Sequence, residues 1–441
     1  MDAKKEYGRP SLWRVCTAAV AGSAIEGFDF IAYGTASALV FGKVFFANLD
    51  PATATIASFG TFASGLLARP LGGLIFGHYG DRIGRKTMLS ITLIMMGLST
   101  GMIGLVPSYA SIGVWAPILL VLMRLLQGLA FGGEFGGAIL LAVEHAPPKL
   151  KGFLGALPLA GSPVGLLMSA TSFAIVTRLP ESDFLAWGWR LPFVASVLLV
   201  IGGYYIRQSI PETPDFVVVQ ERNKTARIPA LDVLRAHWKL LLLSVGNKIG
   251  EVTIYYTASV FLISYAPRLG ISKSDTLEAL MIGAACQLVG MLVAGWLCST
   301  VGARNVSRMG GIAVAVCISA IIALAELRAP LYLTLAISIA LGLVHPLMYA
   351  PEAALYSAQF PAELRYSGIS LGIQIGAAIG GGIVPIIATK LTEHYGNMTS
   401  VAIYVGATGL LGSLCAHLML PTDVDIATSQ RMVSENRRRV T

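Results

Sequence analysis

The chain is dominated by long, almost uninterrupted apolar runs, such as Leu191 to Ile201 and Gly310 to Ala325, separated by short polar stretches. A helix needs about 20 apolar residues to span a bilayer. Runs of that size fall near 14–45, 53–79, 87–106, 113–145, 151–177 and 188–208. After a polar stretch at 209–237, six more follow near 238–266, 276–299, 305–326, 330–359, 365–394 and 398–420. Barrel strands would alternate apolar and polar residues over about ten positions; these runs do not, so helices are predicted. The expectation is an all-α polytopic membrane protein with twelve transmembrane helices. It has a first six-helix half over 1–208, a cytoplasmic linker over 209–237, a second six-helix half over 238–420 and a cytoplasmic tail over 421–441. The linker carries Pro211, Pro214 and Pro229 among basic residues, with a short surface helix expected around Phe216 to Asn223.

Composition strengthens this picture: 55% of residues are hydrophobic and 13% charged, where soluble domains average about 25% charged. Mean hydropathy is +0.70. The 48 glycines read as packing devices that let membrane helices approach closely. The net charge of +8 does not imply nucleic acid, because no basic domain carries interleaved aromatics. Instead the basic residues recur in small groups between apolar runs. With both termini inside, about 22 Lys and Arg fall in cytoplasmic segments, about seven outside and three within the membrane, as the positive-inside rule requires. Lys4, Lys5, Arg9 and Arg14 should hold the amino terminus in the cytoplasm. The first apolar run contains Glu26 and Asp29 and has no small-residue cleavage site, so it is expected to be retained.

Cys16, Cys286, Cys298, Cys317 and Cys415 lack CxxC or metal-ligand spacing and read as small core residues. HExxH is absent from the sequence. The expectation is therefore no enzyme, no metal and no cofactor beyond a coupling proton.

Ionisable residues inside spans are costly and functional by default. Glu26, Asp29 and Tyr33 are spaced three and four apart, which puts two carboxyl groups and a phenol on one helical face. Such carboxyls, with Glu134 of the fourth span, are the candidates for proton coupling. Arg69 and Arg124 cannot stay buried without an anion, and arginine's planar fork suits a carboxylate. Gln127 and Glu134 share the face of Arg124. In the seventh span Asn247, Lys248, Glu251 and Tyr255 lie on a common side, with Lys248 and Glu251 spaced to pair as a structural bridge. Tyr349 and Gln374 are neutral hydrogen-bonding candidates toward a central cavity. His345, beside Pro346, reads as a packing residue before a proton shuttle.

The most specific segment is GHYGDRIGRK, with Gly77, Asp81, Arg82, Gly84, Arg85 and Lys86. It resembles the signature loop of the major facilitator superfamily, position for position. The equivalent segment of the second half, GWLCSTVGAR, keeps its glycines and a late arginine but has Ser299 where the pattern has Asp. Further segments, IEGFDFIAYG, RLLQGLAFGGEFGGA, GSPVGL, WGWRLPF, PETPDF and FPAELRYSGISLG, are similar to the metabolite:proton symporter family. Gly27 departs from that family's usual Trp. Ala358 and Gln359 stand where it usually carries an acidic residue, and Glu352 is the nearest substitute.

The resemblance implies the major facilitator fold of two pseudo-symmetric halves. It also implies a bacterial inner-membrane symporter, working as a monomer in the bilayer, that moves a proton with a mono- or dicarboxylate the size of shikimate, oxoglutarate or citrate. Arg365 joins the signature loop as a gating residue. A zwitterionic osmolyte such as proline or betaine is the alternative substrate; the short tail, without room for a coiled coil, ranks it lower.

Overall fold

The computed structural model describes residues 12–83, 85–132, 151–208, 229–361, 364–428 and 430. Among them are twelve helical rods, labelled here in chain order. The first six are α1 (12–45), α2 (Pro51–Ile83), α3 (Arg85–Leu105), α4 (Trp115–Gly132), α5 (151–176) and α6 (Leu191–Gln208). The second six are α7 (238–265), α8 (Lys273–Thr300), α9 (Ala303–Ala325), α10 (330–357), α11 (Arg365–Tyr395) and α12 (Thr399–Leu418). Each apolar run of the sequence becomes one rod, within a few residues at its ends, except that the far end of the fourth run, 113–145, lies outside the described residues. The helix expected around Phe216 to Asn223 lies outside the described residues, but a short amphipathic one forms at Pro229–Ala236 and buries Val233.

Local signals set the rod boundaries. Asp50 accepts hydrogen bonds from Ala52 N (3.2 Å) and Thr53 N (3.1 Å), capping α2 ahead of Pro51. Hydrogen bonds from Thr53 and neighbouring amides hold this carboxyl below the usual range. Ser272 caps α8 by accepting from Asp275 N at 3.1 Å. An even number of rods puts both ends of the described chain on one face of the bundle, called here the terminal face.

The two halves repeat one another in detail. GFDFIAYGTAS in α1 and GEVTIYYTAS in α7 are alike, with Gly27, Ile31 and Tyr33 matching Gly250, Ile254 and Tyr256. Each rod then makes one π turn just beyond, at Ser37–Phe41 and Thr257–Phe261. Within the first half, α2 and α4 cross at backbone contact. A Cβ on Gly128 would fall 1.9 Å from Gly65 O, so no larger residue fits there.

Contacts between the halves occur on both sides of the membrane core. On the terminal face, Ser299 Oγ accepts from Phe153 N at the start of α5 (3.0 Å). The worn signature of the second half thus supplies a neutral cap rather than a charge. At mid-depth the Phe62 and Tyr256 rings meet edge to face at 5.4 Å. On the opposite face, Glu181 of the loop before α6 reaches Lys43 of α1 (2.8 Å) and Lys273 of α8 (3.2 Å).

The segment after α12 is docked rather than free. Gln359 donates to Leu420 O (3.1 Å) and accepts from Leu420 N (2.9 Å). Asp425 accepts from Arg304 N (3.2 Å) and Asn305 N (3.4 Å), which caps α9 from the tail. Gly302, at φ +99°, leaves the space that Asp425 fills, since a Cβ there would sit 2.0 Å from Oδ1. Gln359, which replaces the acidic residue of the family pattern, therefore has a clamping role.

Two outcomes are expected. Gly128→Leu overpacks the α2–α4 crossing, an effect of about 1–3 kcal/mol or more, and should lower the midpoint of thermal unfolding in detergent. At Glu181, hydrogen bonds from Lys43 and Lys273 depress the carboxyl from 4.5 to about 2. A depressed carboxylate contributes above its ordinary range and is lost only as pH falls through about 2. Labelling of a Ser162→Cys thiol from the opposite face should therefore be faster in Glu181→Gln than in the unsubstituted protein. That difference should persist from neutral pH down to about 5.

Candidate functional site

Between the halves lies a cavity of about 70 Å³, room for a few waters at roughly 10–15 Å³ each. The first half contributes Gly27, Phe30, Arg69, Phe131 and Ser162. From the second half come Lys248, Glu251, Tyr255, Tyr256, His345 and Tyr349. None of the charged side chains lining it is more than 5% exposed. The space is too small for an organic acid, so loading requires the halves to move apart.

The wall from the second half is a continuous polar chain. Gln287 Nε2 lies 3.0 Å from His345 Nδ1, and His345 Nε2 lies 2.7 Å from Glu251 Oε1. Glu251 Oε2 is 2.6 Å from Lys248 Nζ. The same ammonium donates to both oxygens of Glu352, at 3.0 and 2.9 Å. Tyr255 and Tyr349 flank the His345 ring at 4.9 and 5.1 Å. The Lys248–Glu251 bridge expected from spacing is present, but it is only part of a five-residue network.

The first half is built differently. The Arg69 guanidinium is sandwiched between the Phe30 and Phe131 rings, at 3.8 and 3.7 Å. Arg124, fully buried behind it, stacks on Phe30 (3.7 Å) and Tyr33 (4.2 Å). Its Nη1 donates to Gln127 Oε1, and Gln127 donates onward to Thr100 at 2.7 Å. Neither arginine makes an ion pair with a described residue, and Arg69 Nε, Arg124 Nε and Arg124 Nη2 have no hydrogen-bond partner among them. Stacking yields about 0.5–2 kcal/mol, whereas desolvating one ion costs several. Rings alone do not compensate these charges.

Asp29 is 0% exposed, and neither of its oxygens has a hydrogen-bond partner among the described residues. The hydroxyls nearest it, Thr100 and Ser196, donate instead to the carbonyls of Met96 (2.9 Å) and Phe193 (2.8 Å). Glu26, one turn earlier, is buried within electrostatic reach of Arg69.

Of the residues singled out in the sequence, Arg69, Lys248, Glu251, Tyr255 and Tyr349 line the cavity. Others stand behind it or are committed elsewhere. Tyr33 donates to Thr61 at 2.7 Å, joining α1 to α2. Asn247 turns into the second half, donating to Ser307 (3.0 Å) and Gly412 O (2.9 Å) and accepting from Tyr356 (2.9 Å). Gln374 borders a second, smaller cavity between α2 and α11. Glu26, Asp29, Arg124 and Gln127 form the layer behind Phe30 and Arg69. Glu134 and Gly84 lie outside the described residues. Gly77, Asp81, Arg82, Arg85 and Lys86 are helical in backbone, α2 ending and α3 beginning between them. Arg365 opens α11 and donates to Phe360 O at 3.4 Å.

Sequence reasoning undervalued His345 and Glu352 and passed over Phe30, Phe131 and Tyr256. A signal was present: His345, Tyr349, Glu352 and Tyr356 recur at spacings of three and four, which put them on one face of α10.

Comparison with known proteins fixes the lineage. The Sugar (and other) transporter family profile matches residues 15–238, and that of the Major Facilitator Superfamily matches 253–440. The shikimate transporter of Escherichia coli is 35% identical over 427 residues, covering 95% of this chain and 98% of its own length. The chain belongs to the major facilitator superfamily. This superfamily member is also 37% identical to an inner membrane metabolite transport protein of E. coli, over 92% of this chain and 94% of that one. A proline/betaine transporter of Salmonella typhimurium is 34% identical over 93% of this chain and 84% of its own length. Among solved structures, the E. coli xylose transporter in a partially occluded inward-open conformation superposes with a TM-score of 0.74. That match has 17% identity and covers 93% of this chain and 98% of that one. A D-xylose–proton symporter superposes at 0.71 with 18% identity, over 94% and 99%. The chain is thus a multi-pass membrane transporter of the major facilitator fold, and its relatives are carriers rather than enzymes.

Removing Lys248 alone would strand two buried carboxylates. Lys248→Met should destabilise the protein by about 3–5 kcal/mol, seen as a large drop in thermal unfolding midpoint. Asn247→Asp, which keeps shape but adds charge beside Gly412 O, should also destabilise it.

Proposed function

We propose that this chain is a proton-coupled importer of a small organic acid, a mono- or dicarboxylate, operating by alternating access in a bacterial inner membrane. The observation that carries the reading is the pair Arg69 and Arg124: two buried guanidiniums whose charge no described carboxylate matches by direct contact. A substrate carboxylate entering beside Arg69 supplies the missing anion. Its remaining bulk rests on the Phe30, Phe131 and Tyr256 rings. The similarity to a shikimate transporter supports the same substrate class.

Asp29 is assigned the coupling proton. A fully buried ionised carboxyl without a described hydrogen-bond donor is costly, and protonation removes the cost. Loss of that proton on the cytoplasmic side leaves a carboxylate close to Arg124, which then competes with the substrate for positive charge and favours release. Glu26 assists by its reach to Arg69. The signature loop at 77–86 with Arg365, the 1–208 and 238–420 halves, and both termini facing the cytoplasm complete the assignment.

Reconstituted vesicles test this. Uptake of labelled shikimate, oxoglutarate or citrate should rise with an inward acid gradient. Asp29→Asn should abolish gradient-driven accumulation while leaving exchange of internal for external substrate. Arg124→Gln and Arg69→Gln should lower uptake by about a hundredfold, in line with about 3 kcal/mol for a lost charge-assisted bond. Uptake indifferent to the pH gradient would remove the symport assignment.

A second reading is favoured by one feature, the aromatic lining of Tyr255, Tyr256, Phe30 and Phe131 with Glu251 beside it. Such a wall suits the cationic end of a zwitterion, and a proline/betaine transporter is among the relatives. Competition by betaine rather than by shikimate would favour it.

A further inference from the structure

We propose that His345, Glu251, Lys248 and Glu352 together form a second proton-binding site, holding one exchangeable proton on the wall of the cavity opposite Asp29. The argument starts from charge. With Lys248 charged, both glutamates ionised and His345 neutral, the cluster carries one negative charge in excess, and its four side chains are 0–4% exposed. An excess charge at that depth costs several kcal/mol, and one bound proton removes it.

The geometry offers that proton two resting places, each leaving every ion paired. In the first, His345 Nδ1 carries it beside the Gln287 amide: the imidazolium donates from Nε2 to Glu251 across 2.7 Å while Lys248 serves Glu352 at 2.9 Å. In the second, Glu352 carries it as a neutral acid, His345 is neutral, and Lys248 serves Glu251 at 2.6 Å. Passing between them moves one proton from the imidazole to the Glu352 carboxyl and shifts the ammonium from one carboxylate to the other. Nothing is oxidised or reduced. His345 and Glu251 border the cavity; Glu352 lies one to two turns further along α10, toward the terminal face. The cluster can therefore accept a proton from the cavity and hold it on the far side of Lys248.

The surrounding groups do not neutralise the cluster. From α7 comes Tyr255, from α8 Gln287, from α10 Tyr349 and Tyr356, and from α12 Cys415 near Tyr356. Across the cavity stands Arg69 on α2, which makes no ion pair with either glutamate of the cluster. Lys248 is the one cation in contact with the two glutamates among the described residues.

The inference deepens the proton-coupled reading and rests on it for its use in transport, but the proton count needs no substrate. Purified protein in weakly buffered detergent is titrated from alkaline to mildly acidic pH, and proton uptake per molecule is compared among variants with a pH-sensitive dye. Glu352→Gln leaves Lys248 matched by Glu251, so uptake should fall by about one proton relative to the unsubstituted protein. Asp29→Asn should remove a separate one, and the two losses should add. Adding Lys248→Met to Glu352→Gln leaves Glu251 with His345 and should restore the proton lost. If Glu352→Gln unfolds, the double variant against Lys248→Met/Glu352→Gln/His345→Gln/Glu251→Gln gives the same one-proton difference. Uptake unchanged by Glu352→Gln, or not restored by the added Lys248→Met, would overturn the second site. Those results leave the Asp29 assignment intact, whereas loss confined to the cluster variants would overturn Asp29 alone.

Discussion

A charge taken out of water has to be matched by another, and at the depth of this cavity the match is contact by contact. Arg69 and Arg124 in the first half, and Lys248, Glu251 and Glu352 in the second, are all 5% exposed or less. The second half meets the constraint within itself once the proposed proton is bound, with one ammonium shared by two carboxylates and an imidazole completing the chain. The first half does not. Its guanidiniums lie on aromatic faces, and its Asp29 carboxyl has no hydrogen-bond partner among the described residues.

That asymmetry separates the tasks of two halves built on the same repeat. An internally satisfied wall keeps its shape whether or not a ligand is present. An unsatisfied one has free energy to release when an anion arrives. Backbone crossings such as Gly128 on Gly65 make the first half a stiff unit, so the gain on binding can be transmitted to the seams rather than absorbed locally. Along those seams α2 packs on α11 and α5 on α8, with a neutral cap from Ser299 on one face and the Glu181 bridges on the other.

The layout of the rods was legible because lipid imposes a length and an apolarity that soluble folds do not. Even the ends agree closely, from α2 behind Asp50–Pro51 to α8 behind Ser272. Individual charged residues were legible too, since Arg69, Lys248 and Glu251 are conspicuous in an apolar run. Which way each side chain points was not. Tyr33 and Asn247 have the spacing of cavity residues, yet each finds a closer partner on a neighbouring rod, Thr61 and Ser307. Glu352 and His345 looked weak singly because their significance lies in contacts with α7, more than ninety positions away in the chain. The docking of Gln359 on Leu420 left no trace in periodicity, as it depends on backbone atoms that every residue has.

The segment from Leu420 to Thr428 stitches three rods together, through Gln359, the start of α9 and the carbonyl of Thr300. For anyone fusing a fluorescent reporter or affinity handle to this carrier, the usable joint begins after that stitching. A splice made at residue 421 would unpick the second half's rim on the terminal face, and a fault in trafficking or yield would then be mistaken for a property of the cargo.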